Sequence, residues 1–378
     1  MDPQMLVDPA SSVALPAPYW FIQFFKVVGF LLHIVPMNLW FAGLIVAMFA
    51  RTAGGKHAVE FSRRLMRQMP IIVAYGVNFG IVPLLFIQLA YFQFFYPATI
   101  LMAWFWLAIV AMLIPAYYGI YFYASSLRDD DLAALTPWRR LTGWVSAVLF
   151  IAIGYLFVNG MSLLGNVEVW PLVAEKQLVG GAVLGTGLNM YDVQIVPRLL
   201  IMFGLALGTT AAWTVLDAAW FTRQASEAYQ RWAGRFALTL ATAGTVLFAA
   251  AGSWYVFGVW NNQVYNTMFA WPTIVLTFAT AVAPGATVAL LVLLVMRGHL
   301  TRPQAAAIAA AQIVALALNA VSRQVVQNIH VGAFSDLAHR PAEVEWSPLI
   351  LFLILFVLGA ALIFWMIAQI IKAAKGAT

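Results

Sequence analysis

The chain has 378 residues, of which 63% are hydrophobic, 15% are aromatic and only 9% are charged. Because a soluble domain is about 25% charged, this composition excludes a soluble globule of this size, and it also excludes a disordered chain. The absence of cysteine excludes disulfides, thiolate metal sites and iron–sulfur clusters. We therefore expect a polytopic membrane protein, the class that remains.

Long apolar segments follow one another along the chain. Because a membrane-spanning helix needs about 20 apolar residues, we count about nine such segments. They lie at 19–50, 69–96, 99–124, 139–165, 194–222, 232–260, 270–297, 303–328 and 347–374. We predict an all-α bundle of about nine transmembrane helices. It is expected to form a single transmembrane domain over 1–378, with outer segments at 1–18, 165–193 and 329–346.

Basic residues concentrate in alternate connections between these segments. They are Arg51, Lys56, Arg63, Arg64 and Arg67 in the first connection, Arg128, Arg139 and Arg140 in the third, Arg223, Arg231 and Arg235 in the fifth, Arg297 and Arg302 in the seventh, and Lys372 and Lys375 in the tail. Because cytoplasmic loops carry the excess of lysine and arginine, this pattern predicts an outer N-terminus and a cytoplasmic C-terminus. The same excess explains the net charge of +6 without a nucleic-acid partner. The two longest outer segments are then the expected docking surfaces for an outer partner.

Ionisable residues inside a membrane are rare and are functional candidates by default. His33 is the histidine that lies deep within a predicted span. In one interpretation it is a haem ligand, and hence a metal ligand, or a hydrogen-bond partner of a quinone. In the other it is a buried histidine bonded to a neighbouring helix. Lys26 lies two turns before it on the same face, and we expect its side chain to snorkel to the outer surface.

Three further charged residues lie at the ends of predicted spans. Arg198 opens the fifth span and Arg323 closes the eighth, both near the outer face. Each either binds a haem propionate or a quinone carbonyl, or anchors its helix at the membrane interface. Asp217 lies near the cytoplasmic end of the fifth span, where a local ion pair with Arg223 is the simpler interpretation.

Four short stretches carry a resemblance to a known family. They are YGVNFGIVPLLFIQLAYFQF from Tyr75 to Phe94, VNG at 158–160, VPRLLIMFGLALGTT at the start of the fifth span, and AVSRQVVQ, which contains Arg323 and Gln324. At these places the chain resembles subunit I of the cytochrome bd quinol oxidases. The resemblance implies the same bundle with a histidine in its first span. It also makes His33, Arg198, Arg323 and Gln324 the candidate residues for binding one haem b or a quinone.

At other places the chain departs from this family. The resemblance aligns the family's low-spin haem ligands with Ile201 and Ala281, and its two glutamates of span three with Trp106 and Ile114. These side chains neither ligate iron nor carry protons. The resemblance therefore implies a divergent, haem-poor relative rather than a complete oxidase.

From this resemblance we expect an integral subunit of a respiratory electron-transfer complex in a bacterial inner membrane. It would scaffold the complex and help to bind quinone next to a haem-bearing paralogue or a c-type cytochrome. A second hypothesis is a haem b quinol dehydrogenase, in which His33 and an outer histidine such as His330 hold one haem and electrons pass to a periplasmic cytochrome c. A third is a secondary transporter or channel, although the sequence has neither paired broken helices nor a chain of intramembrane carboxylates.

Overall fold

Helices long and apolar enough to cross a membrane follow one another along the computed structural model, which describes Val7 and residues 14–127, 136–220 and 226–376. Within these described residues there are nine such helices. The predicted all-α transmembrane bundle is therefore confirmed. The protein is a multi-pass membrane protein that sits in a lipid bilayer.

The first span, Tyr19–Ala53, is built from two α-helices joined by a π-helical turn at Leu39–Gly43. Every other span is a single α-helix. The α-helices of the described residues are α1 Tyr19–Asn38, α2 Leu44–Ala53, α3 Lys56–Ala90, α4 Phe92–Leu101, α5 Ala103–Ser125, α6 Pro137–Gly165, α7 Trp170–Glu175, α8 Ile195–Trp220, α9 Glu227–Gly258, α10 Asn262–Met268, α11 Thr273–Arg297, α12 Arg302–Gly332 and α13 Trp346–Gly376.

Helix α3 begins well before the predicted second span, which starts at 69. Only two glycines separate it from α2. The stretch from Lys56 is charged, yet Phe61, Leu65 and Met69 recur every four positions and are fully buried, so the stretch forms an amphipathic helix. Hydropathy detects only the apolar part of such a helix. The prediction that the arginines of this stretch lie in a loop is therefore wrong.

Other basic residues predicted for loops also belong to helices. In α6 and α9 they are Arg139, Arg140, Arg231 and Arg235, whereas Arg128 and Arg223 lie outside the described residues. The starts of α3 and α9 lie side by side, because the rings of His57 and Tyr229 pack 5.7 Å apart. We call this end of the molecule the basic end, and the end at which α1 begins the opposite end.

The opposite end carries two segments that lie between spans. Residues 166–194 contain α7 and an antiparallel hairpin of β1 (Leu178–Val179) and β2 (Ala182–Val183). Residues 333–345 pair with the N-terminal segment through a parallel bridge at Leu15. That these two segments dock an outer partner stays a prediction.

Aromatic rings attach the last helix to the rest of the bundle. Phe25 of α1 stacks on Phe86 of α3 at 5.9 Å, and it packs edge-on against Phe352 and Phe356 of α13 at 5.1 and 5.2 Å. None of the apolar window Trp346–Ile363 is buried. Over this window α13 is therefore held along one face, and its other faces are exposed on the outside of the bundle.

A polar layer beside the π-helical turn joins four helices. The side-chain amide of Asn38 donates to Thr209 Oγ1 at 2.9 Å, and that of Gln312 donates to the same oxygen at 3.3 Å. The hydroxyl of Thr287 donates to Gln312 Oε1 at 3.3 Å. Polar side chains of this kind hold membrane helices together, and here they connect α1, α8, α11 and α12.

Helices α8 and α9 approach each other through glycines. A Cβ atom added at Gly244 would lie 2.4 Å from the carbonyl oxygen of Gly204, whereas one added at Gly252 would meet nothing within 4 Å. We expect Gly244→Ala to lower the free energy of unfolding by about 1–3 kcal/mol, because the two backbones must move apart. Gly252→Ala on the same helix is the control and is expected to be neutral or stabilising. Thermal unfolding in detergent measures both, and equal unfolding temperatures for the two variants would contradict the close approach.

Candidate functional site

The first half of α1 packs against the ends of α3 and α12. The side-chain amide of Gln23 donates to the hydroxyl of Tyr91, which directly follows α3, at 2.9 Å. The ammonium of Lys26 donates to Gln327 Oε1, near the end of α12, at 2.8 Å. The start of α1 is thus level with the ends of both helices and runs antiparallel to them. The depth of other residues on α1 and α12 follows by counting turns from the Lys26–Gln327 contact.

A hydrogen-bond network surrounds the buried hydroxyl of Tyr91. The side-chain amide of Gln324 donates to this hydroxyl at 2.8 Å and to Asn328 Oδ1 at 2.8 Å. The Tyr91 hydroxyl also donates to Asn328 Oδ1. Gln324 is 8% exposed, and both described bonds of its amide nitrogen are internal. Gln324 therefore fastens α12 to the end of α3, and its part in binding a cofactor stays a prediction.

The side chain of Lys26 does not reach the surface. It is 6% exposed, and its Nζ lies 4.0 Å from the centroid of the Tyr91 ring. The ring face and the amide oxygen of Gln327 take the place of water around the ammonium. The prediction that Lys26 snorkels to the outer surface is wrong, because these internal partners lie within its reach.

His33 is bonded to the neighbouring helix α3 through one ring nitrogen. Its Nδ1 lies 2.7 Å from the carbonyl oxygen of Gly76. Because a carbonyl only accepts, Nδ1 carries the proton and donates it, and Nε2 is left as an acceptor. The ring packs closely against α3 at Gly80, where a Cβ would lie 2.8 Å from Nδ1 and 2.9 Å from Cε1. Among the described residues Nε2 has no hydrogen-bond partner, so one nitrogen holds the helix and the other is available to a ligand.

Arg323 lies against the ring of Phe30, which precedes His33 by about one turn of α1. Its guanidinium carbon is 4.4 Å from the ring centroid. The guanidinium makes no hydrogen bond and no ion pair with the part of the chain that the structure describes. Such a group inside a membrane-spanning helix is costly unless its donors are satisfied. Its N–H groups therefore favour a ligand that offers oxygen acceptors.

Arg198 adds a second positive charge at this place. It lies in the first turn of α8, and its charge acts electrostatically on Arg323 and on His330. No carboxylate of the described ranges lies within 4.0 Å of either arginine. Asp192 also acts electrostatically on His330, but no described carboxylate pairs with the two arginines. Two like charges of this kind favour an electron-rich ligand at this end of the bundle.

His33 and His330 are far apart along the helix axes. Counted from the Lys26–Gln327 contact, His33 lies about two turns deeper on α1 and His330 about one turn further out on α12. The offset is about 15 Å at 1.5 Å per residue. Both axial ligands of a haem must reach the same iron, so His330 does not pair with His33 at one haem in this geometry. No cluster of three or more metal-ligating His, Asp or Glu side chains occurs in the described ranges.

Apolar packing fills positions at which the resemblance places the family's lost ligands. Ile201 packs into an apolar cluster between α1, α8, α9 and α12. The ring of Trp106 packs edge-on against Phe95 at 5.6 Å. Ile114 and Ala281 are exposed on the sides of α5 and α11. None of these side chains offers a ligand to a metal or a proton path.

A second polar site lies at the basic end. Asp217 of α8 accepts from Arg64 of α3, through Nε at 2.5 Å and Nη2 at 3.0 Å, and from the side-chain amide of Gln68 at 3.3 Å. Asp217 is 2% exposed. An ion pair of Asp217 was expected, and its described partner is Arg64; the predicted partner, Arg223, lies outside the described residues. This two-point contact fixes α3 to α8.

Sequence analysis did not identify the partners of Tyr91. A signal for them exists, because positions 23 and 26 on α1 and positions 324, 327 and 328 on α12 are polar at helical spacing within apolar helices. Polar residues at this spacing indicate faces that meet another helix. Comparisons with known protein families and with curated proteins find no match for this chain.

Proposed function

We propose that the protein is a haem-poor membrane subunit of a respiratory electron-transfer complex that helps to bind a quinone or quinol between α1, α8 and α12. The observation that carries this proposal is the guanidinium of Arg323, which lies on Phe30 inside the bundle without a hydrogen bond or ion pair among the described residues. Lipid tails offer it no acceptor. The carbonyl oxygens of a quinone head group are acceptors for its N–H groups. Hydrogen bonds from charged donors are among the stronger hydrogen bonds in proteins.

His33 complements the reduced form of the same head group. Its Nε2 is an acceptor, because Nδ1 donates to Gly76. A quinol hydroxyl donates to such a nitrogen, whereas a quinone carbonyl does not. His33 and Arg323 are near enough to interact electrostatically. A quinol can bind both residues at once. One of its two hydroxyl oxygens accepts a hydrogen bond from Arg323, and its other hydroxyl donates one to Nε2 of His33.

We further propose that the chain is a divergent relative of cytochrome bd subunit I. The four quoted stretches support this kinship, and the packing of Ile201 and Trp106 supports its haem-poor character. Electrons taken from quinol then need an acceptor outside this chain, for which a haem-bearing paralogue or a c-type cytochrome is the expected neighbour. With the basic end in the cytoplasm, the site would lie in the outer half of a bacterial inner membrane.

Purification of the tagged chain from its native membrane tests this function. We expect a haem-bearing subunit to co-purify and quinone to be extracted from the preparation. Deleting the chain is expected to impair the assembly or the quinol turnover of that complex. Unchanged assembly and turnover would contradict the role as a subunit, and several b-type haems bound stoichiometrically to the isolated chain would contradict its haem-poor character.

A second candidate function, a haem b quinol dehydrogenase, is favoured by the tautomer of His33. Histidines that ligate metals usually donate their other N–H to a backbone carbonyl or a carboxylate, and His33 donates to Gly76. His33 would hold the iron of a haem b, with Arg198 and Arg323 beside its propionates, and the bound haem would supply one-electron chemistry. For this function His33→Ala is expected to abolish the reduced b-type absorption band of the purified chain. An unchanged band would exclude His33 as the ligand.

A further inference from the structure

The basic end of α3 contains an open cavity of about 250 Å³. Its lining side chains recur every three or four positions and so lie on one face of the helix. They are Glu60, Arg63, Arg64, Arg67 and Gln68. The cavity is far from the candidate quinone site, which lies at the opposite end of the bundle.

The cavity lies at the depth of the lipid head groups. The apolar part of α3 runs over residues 69–90, which is about 33 Å of helix and matches the roughly 30 Å hydrocarbon core of a bilayer. Arg67 and Gln68 directly precede this part. The arginines of the cavity therefore meet the phosphate layer rather than the lipid tails.

The described side chains at the cavity include more guanidinium groups than carboxylates. Arg64 is held by Asp217, and Glu60 lies 3.8 Å from Arg63 and 4.0 Å from Arg64. Arg67 is exposed and makes no hydrogen bond or ion pair with the part of the chain that the structure describes. Among the described residues, the cavity thus brings three guanidinium groups to two carboxylates, and Arg67 is the arginine of this set with no hydrogen bond or ion pair to them.

We propose that this cavity binds the phosphodiester head group of an anionic membrane lipid. Arg67 would donate to the phosphate from one side and Arg63 from the other, since the planar guanidinium matches phosphate oxygens. Arg64, which Asp217 holds in place, forms one wall of the cavity. Basic pockets at the cytoplasmic ends of membrane helices suit anionic head groups, and the membrane itself supplies this ligand at the depth of the cavity.

Native mass spectrometry of the full chain in detergent tests the proposal, with phosphatidylglycerol as the probe and phosphatidylcholine as the zwitterionic comparison. We expect phosphatidylglycerol to bind more tightly. Arg67→Gln and Arg63→Gln are each expected to weaken its binding about fivefold. The matched control is Arg235→Gln, which removes an exposed arginine from α9 at the same end and is expected to leave the affinity unchanged.

Three results would overturn the proposal. One is equal binding of the two lipids by the unchanged chain. Another is an affinity loss in Arg235→Gln as large as that in Arg67→Gln, which would indicate a diffuse field rather than a site. The third is displacement of phosphatidylglycerol by millimolar glycerol phosphate, which would make the occupant a soluble phosphate. None of these results bears on the quinone site, so the two proposals stand or fall separately.

Discussion

Replacing Asp217 with asparagine is expected to lower the free energy of unfolding by about 3–5 kcal/mol. Asp217 is 2% exposed and accepts two hydrogen bonds from Arg64, which is itself only 20% exposed. Asparagine keeps the shape of the side chain but removes the charge, so it leaves the arginine without its described bidentate counter-charge. The chemical or thermal unfolding of the purified variant in detergent measures the loss.

A double variant separates the buried charge from general damage to the packing. Arg64→Met combined with Asp217→Leu removes both charges and leaves apolar groups of similar length. We expect it to be considerably more stable than Asp217→Asn, because a broken buried pair costs more than an absent one. If Asp217→Asn unfolds within about 0.5 kcal/mol of the unchanged protein, the pair does not hold α3 to α8.

The fold could be predicted from hydropathy because each span contains a long apolar run. The start of α3 could not be predicted from hydropathy, because its first turns from Lys56 are charged. These turns become helical only by burying Phe61, Leu65 and Met69 against other helices. The same limit affects Lys26. A lysine near a span end normally reaches water, and only the tertiary position of Tyr91 explains why this one stays inside.

Residues that are adjacent in sequence can have different roles at the candidate site, because they face different helices. The sequence makes Arg323 and Gln324 candidates for the same ligand, yet successive helical side chains point about 100° apart. Gln324 faces Tyr91 and is used within the protein, whereas Arg323 faces Phe30 and keeps its donors available. His33 could be selected as the histidine deep in a span, but the ring nitrogen left to a ligand depends on Gly76, a residue with no side chain to signal the contact.

The second large effect is expected at Arg323. If Arg323 donates to a quinone carbonyl, Arg323→Gln should weaken quinone binding to the purified chain by about 10-fold to 100-fold, the worth of a hydrogen bond from a charged group. Arg302→Gln, at the other end of the same helix and exposed, is the matched control and should leave the affinity unchanged. Titration of a water-soluble quinone against protein fluorescence measures both variants, and equal affinities would remove Arg323 from the site.

His33→Phe distinguishes the two forms of the same ligand. Because Nε2 of His33 only accepts while Nδ1 donates to Gly76, phenylalanine should weaken the binding of quinol and leave that of quinone nearly unchanged. Arg323→Gln should weaken both forms, since its donors bind oxygen in either oxidation state. If His33 instead ligates a haem, His33→Phe should remove a b-type absorption band. The affinities for quinone and quinol should then stay unaltered. The two variants together therefore decide whether Nε2 of His33 accepts a hydrogen bond from a quinol or ligates a haem iron.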